Sequence, residues 1–494
     1  MVMKKNKIMK TPCLITTAIV KNSLKSNLIT FALLIFGFSL IYAQKNNQKP
    51  NIVFILADDL GYSELGSYGN TFNETPNLDK LAKDGVRFTQ AYAAAPVCSP
   101  FRAALMTGLY PARIGITDYL RPNASNHLDL NYTTLPEQFK MIGYHTGIIG
   151  KWHLSGYAMD GAREETLPDK HGFDEVISSE ITGIGNGTYY YPYHFNPTLK
   201  KKSKAAKEYI VDRMNEEATD FIKRNKDKPF FLYLSHYAVH TMLHGKKDLV
   251  EKYRKKPGAG KSNPSDNNPD DDFYKKWPSD YFAKQNNPHL ASQLETIDEG
   301  VGMIRKQLEK LGLSENTLII FTSDNGGESR VTDNAPLRGG KSELYEGGIR
   351  EPLLVYMPGV TPSNVVINTP MCNYDFYPTL CEFTGIDKKN YAHVDGISIL
   401  SFIKGNAPKE ESKRPFYWHY PLQKKHFLGG RSAGAIRVGD WKLIEFFDTS
   451  ERELYNLKDD VGENHNLYFE NYKKSDSLQN LLINWRKEVS AQYE

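Results

Sequence analysis

The sequence contains little cysteine, and this limits how the fold can be stabilised. Four cysteines occur in 494 residues, and Cys13 lies in the N-terminal segment described below. The other three, Cys98, Cys372 and Cys381, are too few for a disulfide framework, so a large hydrophobic core must supply the stability. Cys372 and Cys381 could form one disulfide in an oxidising compartment or remain buried thiols, because sequence spacing does not establish disulfide geometry.

Long hydrophobic runs are also missing, apart from one near the N-terminus. Leu28–Tyr42 is apolar, but it is short for a membrane-spanning helix, which needs about 20 apolar residues. It follows a lysine-rich region, and Ala43 followed by Gln44 fits a cleavage site, which is the pattern of a secretory signal peptide. We therefore expect residues 1–43 to be a signal peptide, the mature protein to be periplasmic or secreted, and no stable membrane insertion after cleavage. A retained N-terminal anchor is the alternative.

Excess charge of one sign is absent once this segment is set aside. The formal net charge of +4 falls to −2, because residues 1–43 carry six lysines and no acidic residue. A nucleic-acid-binding domain is expected to carry a strongly basic surface. We therefore expect no nucleic-acid partner.

Patterns of buried strands alternate with helical patterns through most of the chain. Leu294–Leu311 has apolar residues at three- and four-residue steps, which predicts an amphipathic helix. Short apolar runs without polar alternation predict strands that are buried on both faces. These runs are Ile52–Ala57, Thr146–Ile149, Phe230–Ser235 and Leu318–Ser323. Such alternation predicts an α/β fold with helices on both faces of a sheet.

A second unit is predicted to begin near residue 410. Four short strand patterns and a final helical pattern follow that point, which indicates a small antiparallel sheet with a closing helix. They are Pro415–Tyr420, Ala435–Val438, Trp441–Phe447 and Glu453–Asn456, then Asp476–Val489. We therefore divide the mature chain into a large α/β domain, 44–409, and a C-terminal antiparallel-sheet subdomain, 410–494.

Polar side chains follow each of the four buried strands. They are Asp58 and Asp59 after the first, Lys151 and His153 after the second, His240 after the third, and Asp324 and Asn325 after the fourth. Because ligands bind at the carboxyl ends of the strands in open α/β sheets, we expect one site there. Three carboxylates and an amide oxygen suit a hard divalent cation. The alternative is that the adjacent acids cap the helix that follows them.

The most informative segment is residues 98–108, Cys-Ser-Pro-Phe-Arg-Ala-Ala-Leu-Met-Thr-Gly. It predicts the first turns of a helix closed by Gly108, with Cys98 at or just before the helix N-terminus, where unpaired N–H groups and the helix dipole favour anions. Arg102 can fold back over the same spot. The segment resembles the C-x-P-x-R-x-x-x-x-T-G signature of type I sulfatases, which belong to the alkaline phosphatase superfamily. A buried free cysteine is the alternative.

This resemblance covers nearly all of the mature chain and implies its fold and cofactors. The implied fold is a large mixed, mostly parallel sheet sandwiched by helices, forming the catalytic domain 44–409, with a smaller C-terminal α+β subdomain that carries an antiparallel sheet. Cys98 is implied to be oxidised to formylglycine (3-oxoalanine) by a formylglycine-generating or anaerobic sulfatase-maturating enzyme. One Ca²⁺ is implied, with Asp58, Asp59, Cys98, Asp324 and Asn325 as its ligands.

The resemblance also assigns roles to the remaining residues. A hydroxyl of the formylglycine hydrate is implied to attack sulfur with the help of Ca²⁺ and Arg102, while Lys151, Lys341 and the metal hold the sulfate oxygens. His240 is the implied general acid for the leaving alcohol, and His153 is implied to remove the proton that frees sulfate. Many relatives have proline after the His-Thr pair where this chain has Met242. Arg338, His419 and Arg121 are the predicted substrate contacts.

The function implied is hydrolysis of sulfate esters on a sulfated polysaccharide or oligosaccharide, with an algal glycan such as ulvan or carrageenan favoured. Three alternatives stay open. They are a glycosaminoglycan sulfatase, a phosphate or phosphonate ester hydrolase of the same superfamily, and an inactive glycan-binding protein that has kept the fold.

Overall fold

The computed structural model describes residues 49–121, 126–155, 157–158, 161–162, 166–181, 189–204, 207–261, 280–406 and 413–493. The predicted signal peptide, 1–43, and the predicted boundary between residues 409 and 410 lie outside these ranges and stay predictions. The chain from Pro50 to Glu494 packs as one compact unit.

The described elements are strands and helices in mixed order through the large α/β part, followed by four consecutive strands and a last helix. The strands are β1 (Asn51–Ala57), β2 (Val86–Tyr92), β3 (His145–Gly150), β4 (Tyr157–Ala158), β5 (Gly161–Ala162), β6 (Glu175–Ile177), β7 (Phe230–Ser235), β8 (Thr317–Ser323), β9 (Arg350–Tyr356), β10 (Val365–Ile367), β11 (Met371–Cys372), β12 (Pro415–Tyr420), β13 (Ala433–Val438), β14 (Trp441–Phe446) and β15 (Arg452–Asn456). The α-helices are α1 (Pro76–Asp84), α2 (Cys98–Thr107), α3 (Pro111–Ile114), α4 (Leu135–Met141), α5 (Ile210–Arg224), α6 (Lys247–Arg254), α7 (Pro288–Lys310), α8 (Glu346–Ile349), α9 (Phe376–Thr384), α10 (Leu400–Ile403) and α11 (Tyr472–Glu488).

The main sheet is mixed and mostly parallel, which confirms the predicted fold class. Its strand order is β10-β2-β9-β8-β1-β7-β3-β6, and β11 also pairs with β2. Strands β8, β1, β7, β3 and β6 are paired in parallel. Strand β9 is antiparallel to both of its neighbours, β8 and β2.

Helices cover both faces of this sheet, which explains why its central strands show no polar alternation. In β1, Ile52, Phe54 and Leu56 pack into a core with residues of α2, α4 and α9. Val53, Ile55 and Ala57 pack into a second core with residues of α1, α5 and α7. All seven residues of β1 are buried.

A separate antiparallel sheet in the order β12-β13-β14-β15 confirms the predicted C-terminal architecture. Residues of this sheet and of α11 form a third core, which also includes Val97 and Ile349 of the large α/β part. The indole N–H of Trp418 donates to the backbone oxygen of Ala93 at 2.7 Å. The C-terminal sheet therefore packs directly against the segment that leads to Cys98.

The described cysteines form no disulfide. Cys98, Cys372 and Cys381 are all buried free thiols, so the second of the two possibilities for Cys372 and Cys381 is the one observed. Among the described helices, none has the length and apolar character required to cross a bilayer.

Candidate active site

The carboxyl ends of β1, β3, β7 and β8 bring together the polar residues that follow them. The N–H of Asp59 donates to Asp324 Oδ1 at 3.1 Å, which ties the end of β1 to the end of β8. The N–H of Lys151 donates to the backbone oxygen of Ser235 at 2.8 Å, which ties β3 to β7. The four strand ends thus form one edge, as the sequence predicts.

Cys98 is the first residue of α2 and lies against this edge. Its Sγ and one carboxylate oxygen each of Asp58 and Asp324 lie within 4.8 Å of one another, and so do its Sγ, an oxygen of Asp59 and a ring nitrogen of His240. The side chain is 1% exposed. Burial raises the pKa of the Cys98 thiol to about 12, so the group is a neutral thiol at physiological pH.

Arg102 is fully buried and joins three strand ends. Its Nη2 and Nε donate to Asp324 Oδ2 at 2.6 and 3.1 Å. Its Nη1 donates to the backbone oxygen of Lys151 at 2.9 Å and to Ser235 Oγ at 2.6 Å. Helix α2 places Arg102 one turn beyond Cys98, and Gly108 ends the helix with a φ of 72°, which favours glycine.

Two lysines pair with the two aspartates that follow β1. Lys151 Nζ lies 2.6 and 2.9 Å from the carboxylate oxygens of Asp58, and Lys341 Nζ lies 2.6 Å from Asp59 Oδ2. Burial and the neighbouring carboxylates raise the pKa of Asp58 to about 8, even though the Lys151 ammonium opposes the shift. Burial would raise the pKa of Asp59 as well, but Lys341 lowers it below its usual range.

The carboxylates and Asn325 form a donor set that fits an oxygen-binding divalent cation. The Nδ2 of Asn325 donates to Asp59 Oδ1 at 2.7 Å, whereas its Oδ1 is buried without a hydrogen-bond partner among the described residues. Asp59 has a φ of 60°, and such left-handed residues cluster at functional sites. Three carboxylates and a free amide oxygen match the ligands that Ca²⁺ prefers, so this is a possible metal-binding site.

His240 borders the same cluster. Its Nε2 lies 3.7 Å from Asp59 Oδ2, and its Nδ1 forms a short hydrogen bond to the backbone oxygen of Thr241. Burial and the Lys341 ammonium lower the pKa of His240 to about 3, so the ring is neutral at physiological pH in this state. The Thr241–Met242 peptide is cis.

The position of His153 is defined by its backbone conformation and by a hydrogen bond of its ring. It has a φ of 56°, and its Nε2 donates to the backbone oxygen of Leu120 at 3.0 Å. That bond fixes the tautomer in which Nδ1 is the basic nitrogen. Burial and the charges of Lys151 and Arg102 lower the pKa of His153 well below its usual value.

Sequence reasoning missed two residues that shape this edge, Glu180 and Ser235. The carboxylate of Glu180 accepts hydrogen bonds from the N–H groups of Trp152, at 2.9 Å, and of His153. Ser235 Oγ accepts from Arg102. Ser235 ends a predicted strand and could have been read as a site residue, whereas Glu180 carries no such signal because no apolar run precedes it.

The three predicted substrate contacts lie in different places. Arg121 follows Leu120, the residue that binds His153, and pairs with Asp118 at 2.7 Å. Arg338 donates to the hydroxyl of Tyr455 at 2.9 Å and to the backbone oxygen of Glu463 at 2.7 Å, both in the C-terminal region. His419 is buried, and its Nε2 hydrogen-bonds to the backbone oxygen of Gln492 at 2.7 Å. The segments of Arg121 and of Arg338, which precedes Lys341 by three residues, are both brought to the site, although the Arg338 side chain binds the C-terminal region. Substrate contact by the three stays a prediction.

Comparison with known proteins agrees with the sulfatase resemblance across residues 50–490. The Sulfatase profile matches residues 50–386, and a profile described as N-sulphoglucosamine sulphohydrolase, C-terminal, matches residues 340–490. The chain is 30% identical over 521 residues to a sulfatase of Formosa agariphila, covering 90% of each. It is 30% identical over 428 residues to the N-acetylgalactosamine-6-sulfatase of Canis lupus familiaris, covering 80% of this chain and 71% of the relative.

A solved structure supports the assignment. Ps i-CgsB in complex with k-i-k-neocarrahexaose is 31% identical, with a TM-score of 0.73, and the match covers 89% of this chain and 93% of that one. The fold and the charged edge define an ester hydrolase of the alkaline-phosphatase-like class. Within that class the chain belongs to the sulfatase family and is a hydrolase of sulfate esters, as the resemblance of residues 98–108 implies.

Proposed function

We propose that this protein removes sulfate from a sulfated polysaccharide or its oligosaccharides, using a formylglycine at position 98 and one Ca²⁺. The observation that carries the proposal is the convergence of two buried lysines, a helix N-terminus and residue 98 on one sheet edge. Lys151 and Lys341 are held by Asp58 and Asp59 at 2.6 Å. Fixed, buried positive groups of this kind are suited to hold an anion and to stabilise the charge of its transition state.

Asp58, Asp59, Asp324 and Asn325, together with residue 98, would hold the metal ion. When bound, a divalent cation there neutralises the carboxylates and polarises the sulfate ester. Charge balance supports this assignment. Three buried carboxylates now face Lys151, Lys341 and Arg102, so both ammonium groups would gain freedom to bind sulfate oxygens once a cation shared those carboxylates.

The state of Cys98 supports its conversion to formylglycine. Burial keeps the thiol protonated, and the thiolate is the nucleophilic form of cysteine, so an unmodified Cys98 is a poor nucleophile. A formylglycine supplies a hydrated aldehyde as the nucleophile instead. The proposed partner is a formylglycine-generating or anaerobic sulfatase-maturating enzyme.

The two histidines would move the protons. The backbone bond from Nδ1 to Thr241 directs Nε2 of His240 toward Asp59 and the candidate metal site. An anion bound beside His240 raises its pKa, so that Nε2 can carry the proton that the departing alcohol oxygen needs. His153 presents the basic Nδ1 described above, and it would accept the proton whose removal frees sulfate.

The choice of a carbohydrate rests on the relatives. Ps i-CgsB is described with a carrageenan hexasaccharide, which supports an algal sulfated glycan such as carrageenan or ulvan. The canine relative is named for N-acetylgalactosamine 6-sulfate, which supports a glycosaminoglycan as the second candidate. Export to the periplasm or the medium, proposed from residues 1–43, agrees with a polymeric substrate outside the cell.

Sulfate release from a panel of glycans tests the proposal. The mature chain, produced in a host with formylglycine-generating activity, is incubated with carrageenan, ulvan and glycosaminoglycan oligosaccharides, and free sulfate is measured. We expect release from at least one algal glycan. Release from none contradicts the proposal and supports an inactive glycan-binding protein, whereas faster hydrolysis of a phosphate monoester than of the matching sulfate ester supports the phosphatase alternative.

The modification is tested separately by mass spectrometry of the tryptic peptide Phe88–Arg102. We expect the cysteine thiol to be replaced by the aldehyde in protein from the native host. An intact thiol in protein that turns over sulfate esters would overturn the assignment of residue 98.

A further inference from the structure

The connection between β12 and β13 is longer than an antiparallel hairpin needs. It comprises residues 421–432, here called the β12–β13 loop, whereas two to five residues commonly suffice. The loop is fixed beside the candidate site. Gly430 N–H donates to Ser342 Oγ at 3.2 Å, and the N–H of Ser342, the residue after Lys341, donates to the backbone oxygen of Pro96 at 2.8 Å, two residues before Cys98.

Glycine is required at this anchoring point. A Cβ added to Gly430 would lie 1.9 Å from the backbone oxygen of Ser342. The close approach therefore holds the loop against the segment between β8 and α8 that carries Lys341. Loops longer than their connection requires are often binding elements.

Phe427 is an exposed residue of the loop, and its ring packs against a neighbouring side chain. Its side chain is 70% exposed, and its ring stacks on His426 with centroids 4.4 Å apart. The Tyr119 ring contacts the His426 ring edge-on, with centroids 5.6 Å apart, and Leu428 N–H donates to His426 Nδ1 at 3.2 Å. The imidazole is thus fixed in place and presents Phe427 outward.

A series of contacts connects Phe427 to His240. Thr241, the residue after His240, donates from Oγ1 to Glu328 Oε2 at 2.5 Å. Glu328 forms an ion pair with Arg330, whose guanidinium lies 5.6 Å from the centroid of the Phe427 ring. Phe427 therefore lies on the side of the site that His240 occupies.

The charged groups near His426 also connect the loop to the candidate site. Burial and the charges of Lys341 and Arg121 lower the pKa of His426 to about 4, while Asp59 opposes the shift. The exposed aromatic ring is thus not an isolated surface residue, which would require no explanation. It belongs to a loop that Gly430 ties to Ser342, the residue after Lys341.

We propose that Phe427 is a stacking platform for a sugar ring of the departing alcohol. The inference rests on the proposed function, because it needs a glycan ester and His240 as the acid. The alcohol that leaves must lie beside the group that protonates it, and Phe427 is an exposed aromatic ring that the contacts above place on that side. Aromatic faces contribute large apolar contact areas to ligand binding, and the C–H face of a pyranose ring provides a matching surface.

Binding without turnover tests the platform directly. In the full-length Cys98→Ala protein, calorimetry with a carrageenan oligosaccharide gives the reference dissociation constant. We expect Phe427→Ala to weaken binding about tenfold and Phe427→Tyr to restore it to within about twofold. Phe469→Ala is the matched control, since Phe469 is 86% exposed in the C-terminal region, and it should leave binding unchanged.

Competition with inorganic sulfate shows that the anion site is intact in each variant. Sulfate binding should be the same in Phe427→Ala and in its parent, because the platform contacts the sugar and not the anion. Oligosaccharide binding by Phe427→Ala that equals its parent overturns the inference, and so does an equal loss in Phe469→Ala.

The two proposals fail in different ways. If the matured enzyme releases sulfate from a glycan and Phe427→Ala does so with an unchanged kcat/KM, the platform is wrong and the proposed function stands. If neither the matured enzyme hydrolyses a glycan nor the Cys98→Ala protein binds one, the glycan function is wrong and the platform falls with it.

Discussion

Two of the clusters of buried charges among the described residues differ in what their groups contact. The sheet-edge cluster surrounds Cys98 and comprises Asp58, Asp59, Asp324, Lys151, Lys341 and Arg102. The C-terminal cluster lies between α8 and the antiparallel sheet and comprises Glu346, Glu463, Lys442, Arg350 and Arg437 with Tyr92.

The charged groups of the C-terminal cluster are paired with one another. Lys442 Nζ lies 3.0 Å from Glu346 Oε1 and 2.8 Å from Glu463 Oε1, and the Tyr92 hydroxyl donates to Glu346 Oε2 at 2.6 Å. The sheet-edge cluster instead includes Asn325, whose oxygen lacks a partner among the described residues, and two residues with left-handed backbone, Asp59 and His153. Buried charge alone is therefore a poor indicator of function, and an unsatisfied donor set beside a helix N-terminus is a better one.

Removal of the residue at the centre of the sheet-edge cluster should have the largest effect. We expect Cys98→Ala to reduce sulfate release by on the order of 10⁴-fold or more, because loss of a covalent nucleophile has effects of that size. Cys372→Ala is the matched control, since Cys372 is also a buried free thiol, and per folded molecule it should retain activity. Substantial activity in Cys98→Ala would remove the distinction between the two thiols.

A lysine from each cluster tests the comparison itself. We expect Lys341→Ala to lower kcat/KM about 10²- to 10³-fold, as removal of a transition-state contact does. Lys442→Met should instead destabilise the fold by about 3–5 kcal/mol, because it leaves Glu346 and Glu463 buried without their shared cation.

Thermal denaturation and steady-state kinetics on both variants separate the two outcomes. The activity of folded Lys442→Met should stay near that of the parent. If Lys442→Met loses turnover as severely as Lys341→Ala at equal folded fraction, the C-terminal cluster has a direct part in the site.

Metal binding should distinguish the clusters next. Ca²⁺ at about one hundred times its dissociation constant should stabilise the protein by about 2.7 kcal/mol, because it binds the folded state only. Asp58→Asn should abolish this shift in melting temperature, and chelation should reduce both stability and sulfate release. An undiminished Ca²⁺ shift in Asp58→Asn would place the cation elsewhere.

The pH dependence of stability should show the smallest effect. Burial raises the pKa of Glu463 to about 7 from a usual value near 4.5, so the folded state holds this proton more tightly than the unfolded chain does. The resulting stabilisation is complete below about pH 4.5 and is lost as the pH rises through 7. The unfolding free energy of the parent should therefore fall between pH 5 and pH 8. We expect Glu463→Gln to reduce that fall by about 1–2 kcal/mol, as measured by urea unfolding at each pH. A slope identical to the parent's would contradict the assignment.

Four strands of the main sheet, β1, β3, β7 and β8, could be predicted closely from the sequence, whereas β2, β6, β9, β10 and β11 are not among the predicted strands. Phe230–Ser235 matches β7 at both ends, and Ile52–Ala57 misses one residue of β1. Burial on both faces makes these runs continuous and easy to delimit. Helix α11 begins at Tyr472 and not at the predicted Asp476, because its first turn is largely exposed and lacks the apolar period.

The composition of the candidate site could be predicted, but its pairings could not. The order of strands in the sheet decides that Lys151 meets Asp58 and that Lys341 meets Asp59, and no local pattern reports that order. The surroundings of His419 and His426 could not be predicted either, because they depend on contacts with segments that are distant in the sequence. His419 lies in a strand that its neighbours enclose, whereas His426 belongs to a loop whose path depends on the contact of Gly430 with Ser342.

The burial of α2 has a consequence for the order of events in the life of this protein. All ten residues of the helix are buried, and Val97, the residue before Cys98, packs in the core that includes the C-terminal sheet. A maturating enzyme that binds this segment as an extended chain could not do so after the helix has packed, whereas a sulfate group needs access to the strand ends alone. The proposed maturation must therefore act on the nascent or unfolded chain, and a molecule that folds first is committed to remain inactive until it unfolds again.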